Sequence, residues 1–299
     1  MTKLLDGAAL ALKLRETLKE TINSEFALKN RAMPHIVIIN VGNNKNSQMY
    51  ITGKFKACQM LGIKTTLEHF NIIPTQQHLN SVIEKHNNNP GVDGILVQLP
   101  LPPGLNATEA INKIAPDKDI DGLTFVNLGK LISGEPSAVL SCTPQGVIEL
   151  VKSYGVGLCG KSVALVNRSL LVGKPLAQLL TQNDATVTVC HTKTKDLDHI
   201  LKSSDIIITA VGLKNFVKAE HVKKGTVVID IGLTFDKDEG KVFGDCDYEN
   251  IKDLCSYITP VPGGVGPMTI TMLIKNLITL AIQHREAIEA ASKQKDSNN

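Results

Sequence analysis

Apolar and polar positions along the chain follow two alternating rhythms. From about Asp6 to Phe26, Leu10, Leu14, Leu18 and Ile22 recur at helical spacing and predict an amphipathic helix. After Pro34, the run HIVIINVG predicts a short buried strand ending at Gly42. A polar loop, NNKNS, leads into a second helix. On it Tyr50, Lys54 and Cys58 lie four residues apart and so share one face. KTTLEHFNI then reads as a strand, HLNSVIEKHNN as a helix, and GVDGILVQLPLP as a strand that stops at a proline pair. Such β/α alternation predicts a parallel sheet covered by helices.

The rhythm breaks between Asp117 and Ser141, a loop-rich stretch punctuated by Gly and Pro. The helix GVIELVKSYG follows and is expected to link two domains. From Ser162 the alternation resumes: SVALVN, ATVTVCHT, DIIITAVG and TVVIDIGL as strands, with GKPLAQLLTQN and KDLDHILKSS as helices. Four short Val/Ile-rich strands with brief connections predict a second, doubly wound sheet of the nucleotide-binding kind. TPVPGGVGPMT then opens a long C-terminal helix. The expected class is therefore α/β, with two α/β domains, the second Rossmann-like. The expected division is 1–145 plus 272–299 for the first domain and 146–271 for the second. No repeat at solenoid periods is visible.

Composition narrows the function classes. A length of 299 residues suits two domains, and 42% apolar with 20% charged residues can support a core without staples. Thirty-two Lys and Arg against 29 Asp and Glu leave +3, too small and dispersed to argue for nucleic acid. The absence of Trp, with 4% aromatics, leaves few platforms for stacking bases. No apolar run is expected to approach the roughly 18 residues of a membrane span, and the N-terminus lacks a signal or transit pattern. A cytoplasmic protein is expected. The six cysteines include no C-x-x-C, so reduced, mostly buried thiols and no metal site are expected. Cys190 and His191 are adjacent, and neighbours on a strand point to opposite faces, which suits a shared metal poorly.

Several residue groups could carry chemistry. In SVALVNRSLLVGKP, Arg168 and Ser169 stand where a helix start would meet a phosphate, although Asn167 and Gly173 do not make a G-x-G-x-x-G turn. His191 and Thr192, Ala210 to Gly212, and Asp230 to Gly232 with Leu233 close successive strands, where a dinucleotide would lie. His191 could equally be a satisfied surface or core histidine. In the first half, Lys54 lies downstream of Ser47 on the face of Tyr50. A solitary helical lysine is usually a solvated charge. Gln98 interrupts an apolar strand, so its amide must be bonded or placed at a site. Asp119 and Asp121 in KDIDG could form a turn or present a carboxylate. PVPGGVGPMT could be a rigid loop or bring glycine backbone against a flat ligand.

Together, YITGKFKACQMLGI, GILVQLPLP, PDKDIDGL, CTPQG, NRSLLVGKP, TVTVCHTKT, SDIIITAVG, VIDIGL and TPVPGGVGPMT resemble, in order, the bifunctional methylenetetrahydrofolate dehydrogenase/methenyltetrahydrofolate cyclohydrolases. The similarity runs from about Leu4 to the final helix. The resemblance implies two α/β domains flanking a cleft, the C-terminal helix packed on the first, NADP on the second, and a homodimer through the cofactor domain. It implies Lys54 as central catalytic lysine, with Tyr50, Gln98 and Asp121 as its catalytic company. Folate contacts would come from Ser47, Tyr50, Gln98, Leu99, Pro100 and Asp121, and from the loop Pro262, Gly263 and Gly264. Asn167, Arg168, Ser169 and Thr192 would meet the adenosine end of NADP. Ala210, Val211, Gly212, Gly232, Leu233, Gly264 and Thr269 would line the rest of the cofactor.

The same resemblance implies hydride transfer from 5,10-methylenetetrahydrofolate without a metal, then hydrolysis of the methenyl form to 10-formyltetrahydrofolate, within one-carbon folate interconversion and purine biosynthesis. Family members commonly carry glycine where Asn167 stands and serine where Thr192 stands, while Arg168 favours NADP over NAD. Two other readings remain: a relative with dehydrogenase activity alone, and a dinucleotide-binding regulator with a dead first-half pocket. An ATP-dependent folate ligase is disfavoured, because no G-x-x-x-x-G-K-[ST] loop is present.

Overall fold

The computed structural model describes residues 2–236 and 240–296. The chain packs as two compact units. One comprises Leu14–Lys130, Ser137–Leu140 and Leu273–Asn299. The other comprises Met1–Lys13, Leu131–Pro136 and Ser141–Met272. Both are α/β with parallel sheets, as the alternation predicts.

In the unit containing Lys54, strand His35–Val41 lies between Lys64–Phe70 and Gly94–Val97. All seven residues of the central strand are buried and five are apolar, as expected where helices cover both faces of a parallel sheet. The loop-rich stretch proves more structured than its composition suggests, because Phe125–Ser133 is helical, and a short helix, Ala107–Asn112, precedes it. Buried side chains organise the backbone between them. Lys118 donates to the carbonyls of His86, Asn87 and Asn89, capping the C-terminus of helix Gln76–Asn87. Asp119 accepts from the Thr124 N–H at 2.8 Å and from Asn127 Nδ2 at 2.9 Å. In KDIDG, then, Asp119 is a turn former.

Helix Val265–Asp296 provides the last anchor of this unit. Asn276 donates to the carbonyls of Ile120 and Leu140. Farther along, Arg285 forms a two-pronged pair with Asp93, at 2.7 and 2.9 Å. Asp93 is fully buried and also accepts from the His35 N–H and His284 Nδ1. Burial pushes its carboxyl up, but the bonds from His284, Arg285 and the His35 N–H outweigh that and hold it below its ordinary 3.8. The helix also contains a stretch long and apolar enough, by length and composition, to cross a membrane. This corrects the expectation that no run comes near that length. Most of that stretch is buried in the fold, as in core helices.

The other unit holds a six-stranded parallel sheet in the order Lys3–Leu4, Tyr257–Ile258, Val227–Asp230, Ile206–Thr209, Ser162–Val166, Thr186–Cys190. Four of these strands are the expected ones. The two outermost on one side are two-residue strands, too short to show a period. Their pairing carries the first thirteen residues into this unit, whereas the expected division groups them with the first half. An antiparallel pair, Thr234–Asp236 with Lys241–Phe243, was also invisible to the pattern.

Replacing Arg285 with Met leaves the buried Asp93 without its principal countercharge. We expect a loss of about 3–5 kcal/mol in urea unfolding at pH 7. Because the folded carboxyl titrates below the unfolded one, its contribution is complete above the unfolded value and disappears as pH falls through the lowered folded value. The gap between wild type and Arg285→Met should therefore narrow in acid, and an undiminished gap at pH 3 contradicts this assignment.

Candidate active site

Between strands Ser162–Val166 and Ile206–Thr209 the chain reverses its direction of travel across the sheet. Ligands of open α/β sheets bind outside the strand carboxyl ends at such a reversal. A cavity of about 370 Å³ opens there, within the range of small-ligand pockets. Its lining includes Val166, Asn167, Arg168 and Ser169 from the first strand end and Ala210, Val211 and Leu213 from the other. Cys190, His191 and Thr192 follow from the edge strand. Because that strand ends at Cys190, strict alternation no longer governs His191, and both residues reach the cavity. Arg168 supplies a cation. Ser169 Oγ accepts from the Val172 N–H, which directs its own proton elsewhere. These groups fit the phosphate-bearing end of a nucleotide.

Asn167 organises the turn that glycine usually forms. Its Nδ2 donates to the Ala210 carbonyl at 2.6 Å, tying two strand ends together. Its Oδ1 accepts from the N–H groups of Ser169 and Gly173, at 2.8 and 3.0 Å. The side chain thus braces the cavity wall while lining it. Gly173 is required because a Cβ there would collide with the Asn167 backbone.

Deeper in the same unit sit two buried carboxylates. Asp245 accepts from Thr209 Oγ1 at 3.0 Å, from the Val211 N–H at 2.6 Å and from the Leu213 N–H at 2.9 Å. Asp230 accepts from the N–H groups of Gly232, Asp245 and Cys246. Burial pushes the Asp230 carboxyl up to about 6, against the pull of the Asp245 and Cys246 N–H groups. Gly232 lies directly against the Asp245 carboxylate, so no side chain fits there. Leu233 follows it, exposed. Sequence reasoning missed Asp245; its only signal was a Gly-Asp pair after a short apolar run.

The first-half candidates fall in the other unit. Helix Lys45–Met60 carries Tyr50, Lys54 and Cys58, as the spacing predicts. Lys54 is 9% exposed and its Nζ donates to Gln98 Oε1 at 2.9 Å. Gln98, just past strand Gly94–Val97, donates its amide to the Leu99 carbonyl. The buried amide at the end of the apolar strand is therefore bonded through both its oxygen and its nitrogen, and it holds the ammonium. The Leu99–Pro100 peptide is cis. Tyr50 is half-exposed, and partial burial pushes its phenol up. The Cys58 thiol, fully buried, is pushed up to about 11 by burial, against the pull of Thr65, Lys54 and Arg15. Ser47 is buried at the start of the helix, and Asp121 is half-buried beside Asp119.

Pro262, Gly263 and Gly264 belong to the unit of the six-stranded sheet, after a cis Val261–Pro262 peptide. The Gly263 carbonyl accepts from the Ala8 N–H, fixing this loop to the start of the first helix. Thr269, in the first turns of the last helix, pairs its hydroxyl with that of Thr143 at 3.0 Å. Gly212, Gly232, Leu233, Gly264 and Thr269 do not line the cavity described above. All six cysteines are free and only Cys159 is exposed. Among the described residues, no three His, Cys, Asp or Glu side chains are placed to hold a metal ion.

Residues 5–121 match the model of the tetrahydrofolate dehydrogenase/cyclohydrolase catalytic domain, and residues 141–285 match that of its NAD(P)-binding domain. The bifunctional protein FolD of Bacillus licheniformis is 45% identical over 278 residues, covering 93% of this chain and 96% of that protein. The crystal structure of the bifunctional FolD dehydrogenase/cyclohydrolase from Campylobacter jejuni superposes with a TM-score of 0.91 at 42% identity, over 94% of this chain and 99% of that one. The Trypanosoma brucei enzyme, solved with NADP cofactor and an inhibitor, superposes with a TM-score of 0.90 at 35% identity, over 96% and 98%. With both family domains matched in order and relatives aligned over nearly their whole length, this chain belongs to the tetrahydrofolate dehydrogenase/cyclohydrolase family.

Proposed function

We propose that this protein oxidises 5,10-methylenetetrahydrofolate to 5,10-methenyltetrahydrofolate with NADP and hydrolyses the methenyl form to 10-formyltetrahydrofolate. The observation that carries the reading is the buried Lys54–Gln98 pair, in a family whose relatives perform both steps. NADP, when bound, supplies the hydride acceptor. The chain's own work is binding, orientation and proton management. Gln98 Oε1 fixes Lys54 Nζ at one position, ready to exchange a proton with the water that adds to the methenyl carbon, or with the ring nitrogen that departs. Tyr50 extends from the same helical face toward solvent, placed to lie along the substrate ring. Asp121, Ser47, Leu99 and Pro100 complete the folate contacts of this unit in this reading.

Arg168 and Ser169 hold the 2′-phosphate of NADP, with Thr192 on the third side of the cavity. Asn167 keeps the turn in shape from within. Ala210 and Val211 form the adjoining wall, and Gly212, Gly232, Leu233, Gly264 and Thr269 face the remainder of the cofactor. The folate site and the NADP site thus belong to the two matched family domains respectively. A homodimer through the cofactor domain is supported by the edge strand Thr186–Cys190, where Val189 is 39% exposed. Free, mostly buried thiols suit a cytoplasmic setting.

Substituting Lys54 with Met should slow ring opening of methenyltetrahydrofolate by about 10²- to 10⁴-fold, with NADP affinity unchanged. Near-normal ring opening in that variant contradicts the role of Lys54. Substituting Arg168 with Gln removes the cation opposite the 2′-phosphate. Steady-state kinetics with NADP and NAD in parallel should then show kcat/KM for NADP falling by about ten- to a hundredfold, with little change for NAD. Equal losses with both cofactors would place Arg168 away from that phosphate.

A further inference from the structure

The polar groups of Asp245 are directed at loops of the cofactor unit, and the loop they hold most closely is a wall of the cavity. Its carboxylate is surrounded by Thr209 Oγ1 and the N–H groups of Val211 and Leu213. Its carbonyl accepts from the N–H groups of Phe216 and Val217, and its own N–H donates to Asp230. Val211, Leu213 and Phe216 line the cavity. Asp245 itself does not, and it is fully buried behind them. Between Val211 and Leu213, Gly212 takes a left-handed conformation with φ of +71°, so the loop makes a tight turn around the carboxylate.

We propose that Asp245 is a positioning residue for the nicotinamide cofactor, acting through the N–H groups of Val211 and Leu213 to fix the cavity wall. This rests on the NADP reading of that cavity. The physical reason is that three donors converge on one anion out of water. Each oxygen is committed: Oδ1 to Leu213, Oδ2 to Thr209 and Val211. The loop from Thr209 to Leu213 is thereby held from behind, and a ligand meets a surface already in place. Asp230 provides the second tier, because its carboxylate fixes the N–H groups of Asp245 and Cys246. Preorganisation of this kind appears in affinity, since an unfixed loop must be ordered when the ligand binds.

The substitution Asp245→Asn tests it. An amide keeps the shape but has one acceptor oxygen, so whichever way it faces, its NH2 group opposes either the Leu213 N–H or the Thr209 and Val211 donors. The dissociation constant for NADP, measured by titration calorimetry on the full chain, should rise about tenfold. Ring opening of methenyltetrahydrofolate consumes no cofactor and should stay within about threefold of wild type, reporting an intact folate unit. Thr209→Val removes a single donor and should raise the constant by about threefold. It decides the matter where Asp245→Asn does not fold. Unchanged NADP affinity in a folded variant overturns the proposal, as does a parallel loss of NADP binding and ring opening, which marks a merely structural role. Wild-type protein that binds no NADP at all overturns instead the reading of the cavity on which the proposal rests.

Discussion

Backbone N–H groups at the carboxyl ends of parallel strands run out of ladder partners, and the cofactor unit depends on buried carboxylates to satisfy them. Asp245 and Asp230 receive six N–H or O–H donors between them, drawn from Thr209, Val211, Leu213, Gly232, Cys246 and Asp245 itself. Burying an anion is costly unless its lone pairs are filled, and here they are filled by the loops that need holding. The carboxylates and the loops therefore require one another. Asn167 does the same for the neighbouring strand end in neutral form, bridging Ala210 to the turn at Ser169 and Gly173. What remains on the outer side is a cavity whose wall is hydrogen-bonded from behind.

The folate unit uses the same device for a different end. Asp93 with Arg285 fastens the last helix to the strand edge, Lys118 caps a helix, and Asp119 pins the loop that carries Asp121. Lys54 and Gln98 differ from these. They too are buried and bonded, yet their bond joins a helix to the polar end of a strand and brings a proton-carrying group to one fixed place.

Much of this was legible in the amino-acid pattern. The β/α alternation predicts both parallel sheets, and the four-residue spacing of Tyr50, Lys54 and Cys58 predicts their shared helical face. Gln98 is visible because an amide in GILVQLPLP demands a partner, and the structure supplies Lys54. The strands Lys3–Leu4 and Tyr257–Ile258 were not legible, since two residues show no period and their pairing is set by segments more than 250 residues apart. The helices Ala107–Asn112 and Phe125–Ser133 hid among Gly and Pro, and Asp119 and side-chain caps fix the chain around their starts. Asp245 and Asp93 were missed for a common reason. A lone Asp beside Gly reads as a surface turn, and only the fold reveals the donors converging on it.

The most direct test of the account follows purified wild-type protein through both reactions. Methylenetetrahydrofolate is supplied with NADP, and methenyltetrahydrofolate is supplied separately without cofactor, each monitored by near-ultraviolet absorbance against a protein-free control. The account predicts NADP reduction in the first cuvette and protein-dependent loss of the methenyl band in the second. Reduction with no acceleration in the second cuvette contradicts it, and would leave the buried Lys54–Gln98 pair without the chemistry assigned to it.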